Sequence, residues 1–143
     1  MSAEGNVAAF RKLIEVGFAR GDLSVVEELV SPTAIEHQRG SKPGIEGVKG
    51  TIATLRSWFS DFELTIAKLS ADGDTVWALN RAQGVNTGSI FGFPPTGNPI
   101  EIDVIDIARF EDGKIVEHWG VPDQLGMLIQ LGLAPRPQPA GGR

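Results

Sequence analysis

Two Asp-Gly pairs constrain the fold of this chain more than any other feature, because each lies between long runs of alternating apolar and polar residues. Asp-Gly in this setting indicates the tight turn of an antiparallel hairpin. The turns fall at 72–74 and 112–113, and a Gly- and Pro-rich loop at 88–98 separates the two hairpins. The second half of the chain is therefore expected to form an antiparallel sheet, with strands over residues 62–70, 75–87, 100–110 and 114–121.

The first third of the chain has helical periodicity instead. A first helix, which Gly21 ends, is predicted by the apolar stripe of Val7, Phe10, Leu13, Ile14 and Phe18. Asp22 is a natural N-cap for a second helix, and Asp123 for the last one. A β-branched run at 33–38 predicts one strand between the second and third helices, before a loop at 39–47. The remaining helices are expected over residues 23–30, 48–59 and 124–131.

Helices followed by long hairpins are typical of an α+β domain. We expect three N-terminal helices packed on one strongly curved, mainly antiparallel sheet, which together form a cone-shaped α+β barrel with a pocket at its mouth. The chain has 143 residues, enough for one domain. Residues 1–133 are assigned to that domain, and the Pro- and Gly-rich residues 134–143 to a flexible tail.

Composition excludes several classes of function. Thirteen Lys and Arg against eighteen Asp and Glu give a net charge of −5, which argues against nucleic acid or an anionic membrane as the main partner. Without cysteine the chain has no thiol chemistry, and two distant histidines give weak support for a metal site. No phosphate-binding or dinucleotide fingerprint occurs, so no cofactor and no metal are expected. The N-terminus lacks the pattern of a signal peptide, so a cytoplasmic location is expected.

Asp106 is a candidate catalytic residue because strand alternation places it on an apolar face. The other even-numbered residues of the predicted strand are Ile102, Val104, Ala108 and Phe110. Burying an unpaired carboxylate is costly or raises its pKa, and a raised pKa suits a group that accepts and donates a proton near neutral pH. The alternative is a structural aspartate that is bonded to the backbone or faces solvent.

His118, on the next strand, is the candidate partner of Asp106. Across the turn at 112–113, Asp106 faces His118, Trp119 or Gly120, according to whether paired residue numbers sum to 224, 225 or 226. A plain two-residue turn gives 225 and turns His118 away, whereas a bulged turn gives an even sum and puts His118 on the face of Asp106. The Asp106–His118 dyad is therefore a hypothesis, and an exposed His118 is its alternative.

A second pair of titratable residues, Glu36 and His37, is adjacent in sequence, so only one of the two can enter a cavity. Because His37 shares its face with Ile35, we expect His37 to point inward as a further catalytic candidate, with Glu36 at the rim. A histidine with a purely structural role is the alternative. Arg81 could bind an anionic or enol oxygen, but an ion pair on the outer sheet face is favoured for it.

Aromatic residues supply the expected pocket wall, and Trp58, Phe59 and Trp77 are assigned to the core or to this wall. On the opposite face of the sheet, an even register brings together Ile105, Ile107 and Trp119. An apolar outer face needs cover, which predicts a homodimer through this face.

From residue 59 onward the chain resembles the SnoaL-like polyketide (ester) cyclase family, which has the nuclear transport factor 2-like cone fold. The stretches that carry the resemblance are SDFELTI, ADGDTV, GFPPTGNPIEI, IDIARFEDGKIVEHW and PDQLGMLIQLG, and in order and spacing the match extends over about residues 7–133. The resemblance implies a homodimer, no cofactor and acid–base chemistry in an apolar pocket. Aromatic polyketide cyclases of this kind close a ring by intramolecular aldol condensation.

Aligned on the DGK and PD motifs, this chain departs from the family pattern at three positions. The family's catalytic aspartate falls on Gly120, its strand histidine on Asp106 and the neighbouring glutamine on Val104. The match also places Asp106 and position 120 on one face, which favours an even pairing sum.

The sequence leaves three functions open. The first is an enzyme that closes a ring or isomerises a small apolar polyketide-like metabolite, with Asp106, His118 and His37 as catalytic residues. The second is a binding module without turnover, and the third is a cofactor-free hydroxylase. The residues expected to contact substrate are Glu36, Trp58, Phe59, Trp77, Val104 and Gly120.

Overall fold

One curved five-stranded sheet organises the structure, a computed structural model that describes residues 2–138. The strands are β1 Val30–Glu36, β2 Phe59–Asp72, β3 Thr75–Asn86, β4 Pro99–Glu111 and β5 Lys114–Pro122. Their order across the sheet is β1-β5-β4-β3-β2. Strand β1 runs parallel to β5, and all other neighbours are antiparallel.

The helices are α1 Ala3–Lys12, α2 Ser24–Leu29, α3 Gly44–Trp58 and α4 Gln124–Gln130. Helix α1 continues directly into a π-helical segment, Leu13–Phe18, in which the Ala19 N–H donates to the carbonyl of Ile14. The N-cap of α2 is Leu23 rather than the predicted Asp22, which accepts a hydrogen bond from the Ser24 N–H at 3.0 Å from one residue earlier. Asp123 is the N-cap of α4, as predicted, and accepts a hydrogen bond from the Gly126 N–H.

The α+β class and both Asp-Gly turns are confirmed. Asp112 and Gly113 both have positive φ, the conformation that a two-residue hairpin of the I′ type requires. The predicted set of three N-terminal helices is not matched in detail, because the first helix changes to π-helical hydrogen bonding and α3 begins at Gly44 rather than at residue 48. Glycine allows the earlier start, since a Cβ at Gly47 would collide with the backbone of Lys42.

The expectation of a barrel is corrected by the sheet topology. The edge strands β1 and β2 do not pair, so the sheet is open. Helix α3 packs against both edge strands and lies where a closed barrel would need hydrogen bonds between them.

Two apolar clusters flank a polar zone on the inner sheet face. One cluster includes Ala78 and Ala108, and the other includes Ala82 and Ile102. The zone between them is therefore the part of the inner face where polar side chains meet.

Among residues 2–138 we find no helix that is both long enough and apolar enough to cross a membrane. The tail predicted at 134–143 falls partly on residues 139–143, which lie outside the described residues, so its boundary stays a prediction.

Asn86 fixes the loop that follows β3 and is fully buried. Its Nδ2 donates to the carbonyls of Trp58 and Gly88 at 3.0 and 2.9 Å, and its Oδ1 accepts from Thr96 N and Oγ1 at 2.8 and 3.0 Å. The same loop brings Phe91 to the cavity, where its ring packs edge-on against Trp58 at 5.2 Å. The buried side-chain amide of Asn86 thus holds the loop in the conformation that brings Phe91 to the cavity.

We predict that Asn86→Ala lowers the free energy of unfolding by about 3 kcal/mol, because it removes four hydrogen bonds of a fully buried side chain and leaves a cavity in its place. Denaturation in urea measures the change. Ser89→Ala, an exposed substitution in the same loop, serves as the control and is expected to cost less than about 0.5 kcal/mol. Equal losses in the two variants would contradict the anchoring role of Asn86.

Candidate functional site

A cavity of about 840 Å³ lies between the inner face of the sheet and the helices. Most of its wall is apolar, and Trp58, Phe59 and Val104 line it, as expected from the sequence. The titratable side chains at its sheet wall are Glu36, Asp106 and His118.

The register of the last hairpin brings His118 into the cavity. Near the turn, Phe110 pairs with Ile115, but beyond a bulge Arg109 pairs with Glu117, so that Val116 is the extra residue on β5. From there on the paired numbers sum to 226. The register question left open by the sequence is thus answered by a bulge within the strand rather than by the turn itself.

Asp106, His118 and Glu36 form one hydrogen-bonded chain. The Nε2 of His118 lies 2.9 Å from Asp106 Oδ1, and its Nδ1 lies 2.6 Å from Glu36 Oε2. In the bulged register Asp106 faces Gly120, which places His118 diagonally across from it. Glu36 reaches His118 because the two residues are register partners in the parallel pairing of β1 with β5. The side chains of all three are less than one fifth exposed.

Backbone and amide donors complete the network. Asn80, fully buried on β3, donates from Nδ2 to Asp106 Oδ2 at 2.8 Å. The Gln38 N–H donates to Glu36 Oε2 at 3.0 Å. Both carboxylates are therefore held in fixed orientations before any ligand enters.

His118 is positively charged at neutral pH in this setting. Burial by itself lowers the pKa of His118, but the hydrogen bonds and charges of Asp106 and Glu36 outweigh burial and raise the pKa to about 9. Both ring N–H groups then donate to carboxylates.

The predicted inward orientation of His37 is wrong. Its side chain lies on the outer sheet face, with Nε2 2.7 Å from Glu117 Oε2 and its ring stacked on Trp119 at 4.8 Å. Hydrogen bonds from His37 and then Arg109 hold the pKa of the Glu117 carboxyl below its usual value. The face that His37 shares with Ile35 is the outer one, and Ile35 is half exposed. Glu36 takes the inward position instead.

Trp77 is also corrected, because it is 47% exposed on the outer face and does not line the cavity. Arg81 pairs there with Asp103 at 2.9 Å and Glu101 at 3.0 Å, which matches the favoured interpretation of Arg81. Alternation along β3 determines both outcomes, since odd-numbered residues of this strand face outward.

Asn80 was not predicted as a site residue. The signal was present, because it is a lone amide among Val76, Ala78 and Ala82 on the even face of β3. Gly120 lies opposite Asp106 as the resemblance implies, with the Gln38 side chain beside it.

The charge on His118 predicts a specific dependence of stability on pH. Its folded pKa of about 9 exceeds its ordinary value of 6.5, so its contribution is complete below 6.5 and is lost as the pH rises through 9. The full contribution is on the order of 3 kcal/mol. Urea denaturation between pH 6 and 10 should show wild-type stability falling relative to that of His118→Gln.

His37→Gln is the matched control, since it removes the other histidine of the chain but leaves the cavity network intact. This control should retain the wild-type dependence on pH. Parallel pH profiles for wild type and His118→Gln would contradict the assignment of charge to His118.

Residues 8–131 match the family model described as SnoaL-like polyketide cyclase. The aklanonic acid methyl ester cyclase DnrD of Streptomyces peucetius is 33% identical over 117 residues, which are 81% of this chain and 79% of that protein. The nogalonic acid methyl ester cyclase of Streptomyces nogalater is 30% identical over 117 residues, 81% of this chain and 85% of that protein.

Solved structures agree with this match. IdmH from Streptomyces antibioticus is 34% identical with a TM-score of 0.78, over 89% of this chain and 98% of that one. TsrD from Streptomyces laurentii is 27% identical with a TM-score of 0.85, over 94% and 99% of the two chains. The family model covers most of the described chain, and these structures share its helices and curved sheet. The chain therefore belongs to the SnoaL-like polyketide cyclase family.

Proposed function

We propose that this protein catalyses a cofactor-independent ring closure or isomerisation of a small apolar polyketide-like metabolite held in the cavity. The observation that carries the proposal is the hydrogen-bonded arrangement of Asp106, His118 and Glu36 at the wall of a mostly apolar cavity. This arrangement positions the Asp106 carboxylate for proton transfer at the cavity wall.

The cavity and the relatives support the class of substrate. A volume of about 840 Å³ lies within the range of pockets that bind small organic molecules. The relatives at about 30% identity are named for methyl esters of aklanonic and nogalonic acid, which are neutral at the ester group. A polycyclic or chain-like polyketide ester suits a wall that is mostly apolar.

Asp106 is the base in the reaction that we propose. His118 already holds its proton and donates from both ring nitrogens, so it has no lone pair for a substrate proton. Each carboxylate oxygen of Asp106 accepts one hydrogen bond and keeps further acceptor capacity. Asp106 removes a proton from the carbon next to a substrate carbonyl, which forms an enolate.

Ring closure then needs no other reactant. The enolate carbon forms a bond to a second carbonyl carbon of the same molecule, and the alkoxide that results takes the proton back from Asp106. Atoms and charges balance, and substrate and product are isomers. In an isomerisation, Asp106 returns the proton to a different carbon.

Glu36 and His118 act as positioning residues for Asp106. The ring of His118 donates to Asp106 Oδ1 and fixes its orientation, and Glu36 orients the ring from the other side and helps to raise the pKa of His118. The resemblance assigns the family's carboxylate to position 120, where this chain has glycine. Asp106 thus supplies from β4 the carboxylate that the family pattern has on β5.

We predict that Asp106→Asn lowers kcat by about 100-fold or more and leaves the fold intact, because the amide cannot accept the substrate proton. Turnover of aklanonic acid methyl ester, and of a panel of related polyketide esters, is followed by chromatography and mass spectrometry. Asp103→Asn is the matched control on the outer face of the same strand, where Asp103 pairs with Arg81.

Full activity of Asp106→Asn on a substrate that the wild type converts would refute the catalytic role. Binding of these esters in the cavity without conversion by the wild type would instead support the binding-module alternative.

We also propose that the outer sheet face binds a second copy of this chain. Trp77, Ile105 and Val121 are 47%, 42% and 62% exposed on that face. The rim has ion-paired residues of both signs, among them Arg81 with Asp103. A rim that carries both charges suits a two-fold interface, in which each copy presents the same patch.

Light scattering at micromolar concentration is expected to give about twice 15.3 kDa for the wild type. Ile105→Arg places an unpaired charge in the apolar patch and should produce monomers. The control Leu125→Arg changes an exposed apolar residue of α4 and should remain dimeric. A monomeric wild type would overturn the proposed interface.

A further inference from the structure

The space above Gly120 is occupied by the side chain of Gln38. A Cβ at position 120 would overlap the Gln38 side-chain amide and lie 3.1 Å from His118 Cε1. Gly120 is not among the positive-φ glycines, so its backbone conformation does not require glycine. The Gln38 side chain therefore occupies the space that a side chain at position 120 would enter.

Gln38 is held firmly by its main chain, whereas its side chain has no partner. Its N–H donates to Glu36 Oε2 at 3.0 Å, and its carbonyl accepts from the Ser41 N–H at 3.1 Å. The side-chain amide lines the cavity and makes no hydrogen bond with any of residues 2–138. An amide next to an apolar cavity is stabilised when a ligand satisfies it.

The hydrogen-bonding chemistry of the Gln38 amide complements that of the neighbouring Asp106, His118 and Glu36 side chains. Glu36 and Asp106 offer only acceptors, and both N–H groups of His118 are already engaged. A glutamine amide adds two donors without adding charge. A hydrogen-bond donor stabilises the substrate carbonyl oxygen as negative charge develops on it during enolate formation. A carboxylate at position 120 would instead be a third acidic group next to Glu36 and Asp106.

We infer that Gln38 replaces a side chain at position 120 and binds the carbonyl oxygen of the substrate while Asp106 removes the proton from the neighbouring carbon. The inference rests on the proposed function and narrows the substrate class. The substrate presents a ketone or ester carbonyl at this point, with its acidic C–H toward β4 and its apolar rings along the remaining wall.

The first test measures whether Gln38 and position 120 compete for one space. Gly120→Ala should lower Tm by about 3 °C or more in the wild-type background and by much less in a Gln38→Ala background. Gly50→Ala is the control, because a Cβ at Gly50 meets nothing within 4 Å. An equal Tm change in both backgrounds would overturn the shared-space argument.

The second test measures oxygen recognition with two probes of nearly the same shape, 9,10-anthraquinone and anthracene. Binding is followed by quenching of tryptophan fluorescence, since Trp58 lines the cavity. Gln38→Leu should weaken binding of anthraquinone about fivefold and leave binding of anthracene unchanged. Thr54→Val, at another polar position of the wall, is the matched control and should change neither.

The outcomes separate this inference from the catalytic proposal. Gln38→Leu with unchanged affinity for both probes, or an equal loss for both, would refute the role of Gln38 and leave Asp106 as the base. Loss of turnover in Asp106→Asn with intact anthraquinone selectivity would support both. Failure of the wild type to bind either probe would overturn the ligand assignment of the cavity and this inference together.

Discussion

The two hydrogen bonds of His118 join the three strands on which the site depends. One reaches Asp106 on β4 within the antiparallel part of the sheet, and the other reaches Glu36 on β1, the parallel edge strand. Pairing of β1 with β5 is irregular between Val30 and Ile35, and it resumes where Glu36 meets His118. Burying three ionisable groups is costly, and the network offsets that cost only when all three partners are present. Loss of one partner leaves a buried charge and loosens the strand edge as well as the chemistry.

Much of the fold could be predicted from local sequence rules, and the site only in part. Alternation along the strand placed Asp106 inward, and the two Asp-Gly turns set the hairpins. The register of β5 could not be derived, because it depends on an extra residue at Val116 rather than on the turn. The orientation of His37 was predicted wrongly, because β1 pairs with β5, which is distant in sequence, and local neighbours do not report which face of β1 is covered.

Contacts between distant segments explain what else the sequence could not show. The resemblance to the family places a catalytic aspartate at position 120, where this chain has glycine. In the structure the Gln38 side chain occupies the space next to Gly120 that a side chain there would enter. Asp106 on β4 supplies a carboxylate to the cavity, and the neutral amide of Gln38 comes from the loop after β1. The fold alone therefore does not determine the chemistry of the site, which depends on the side chains that it brings together.

Titration of the His118 ring by NMR tests the central claim most directly, because it reports the proton between the two carboxylates. In the wild type, the ring is predicted to remain an imidazolium through neutral pH and to lose its proton at a pKa of about 9. In Asp106→Asn the same titration should move to lower pH, since one of the two stabilising charges is removed. Titration of wild-type His118 near its ordinary value of 6.5 would contradict the charged chain and the acid–base mechanism built on it.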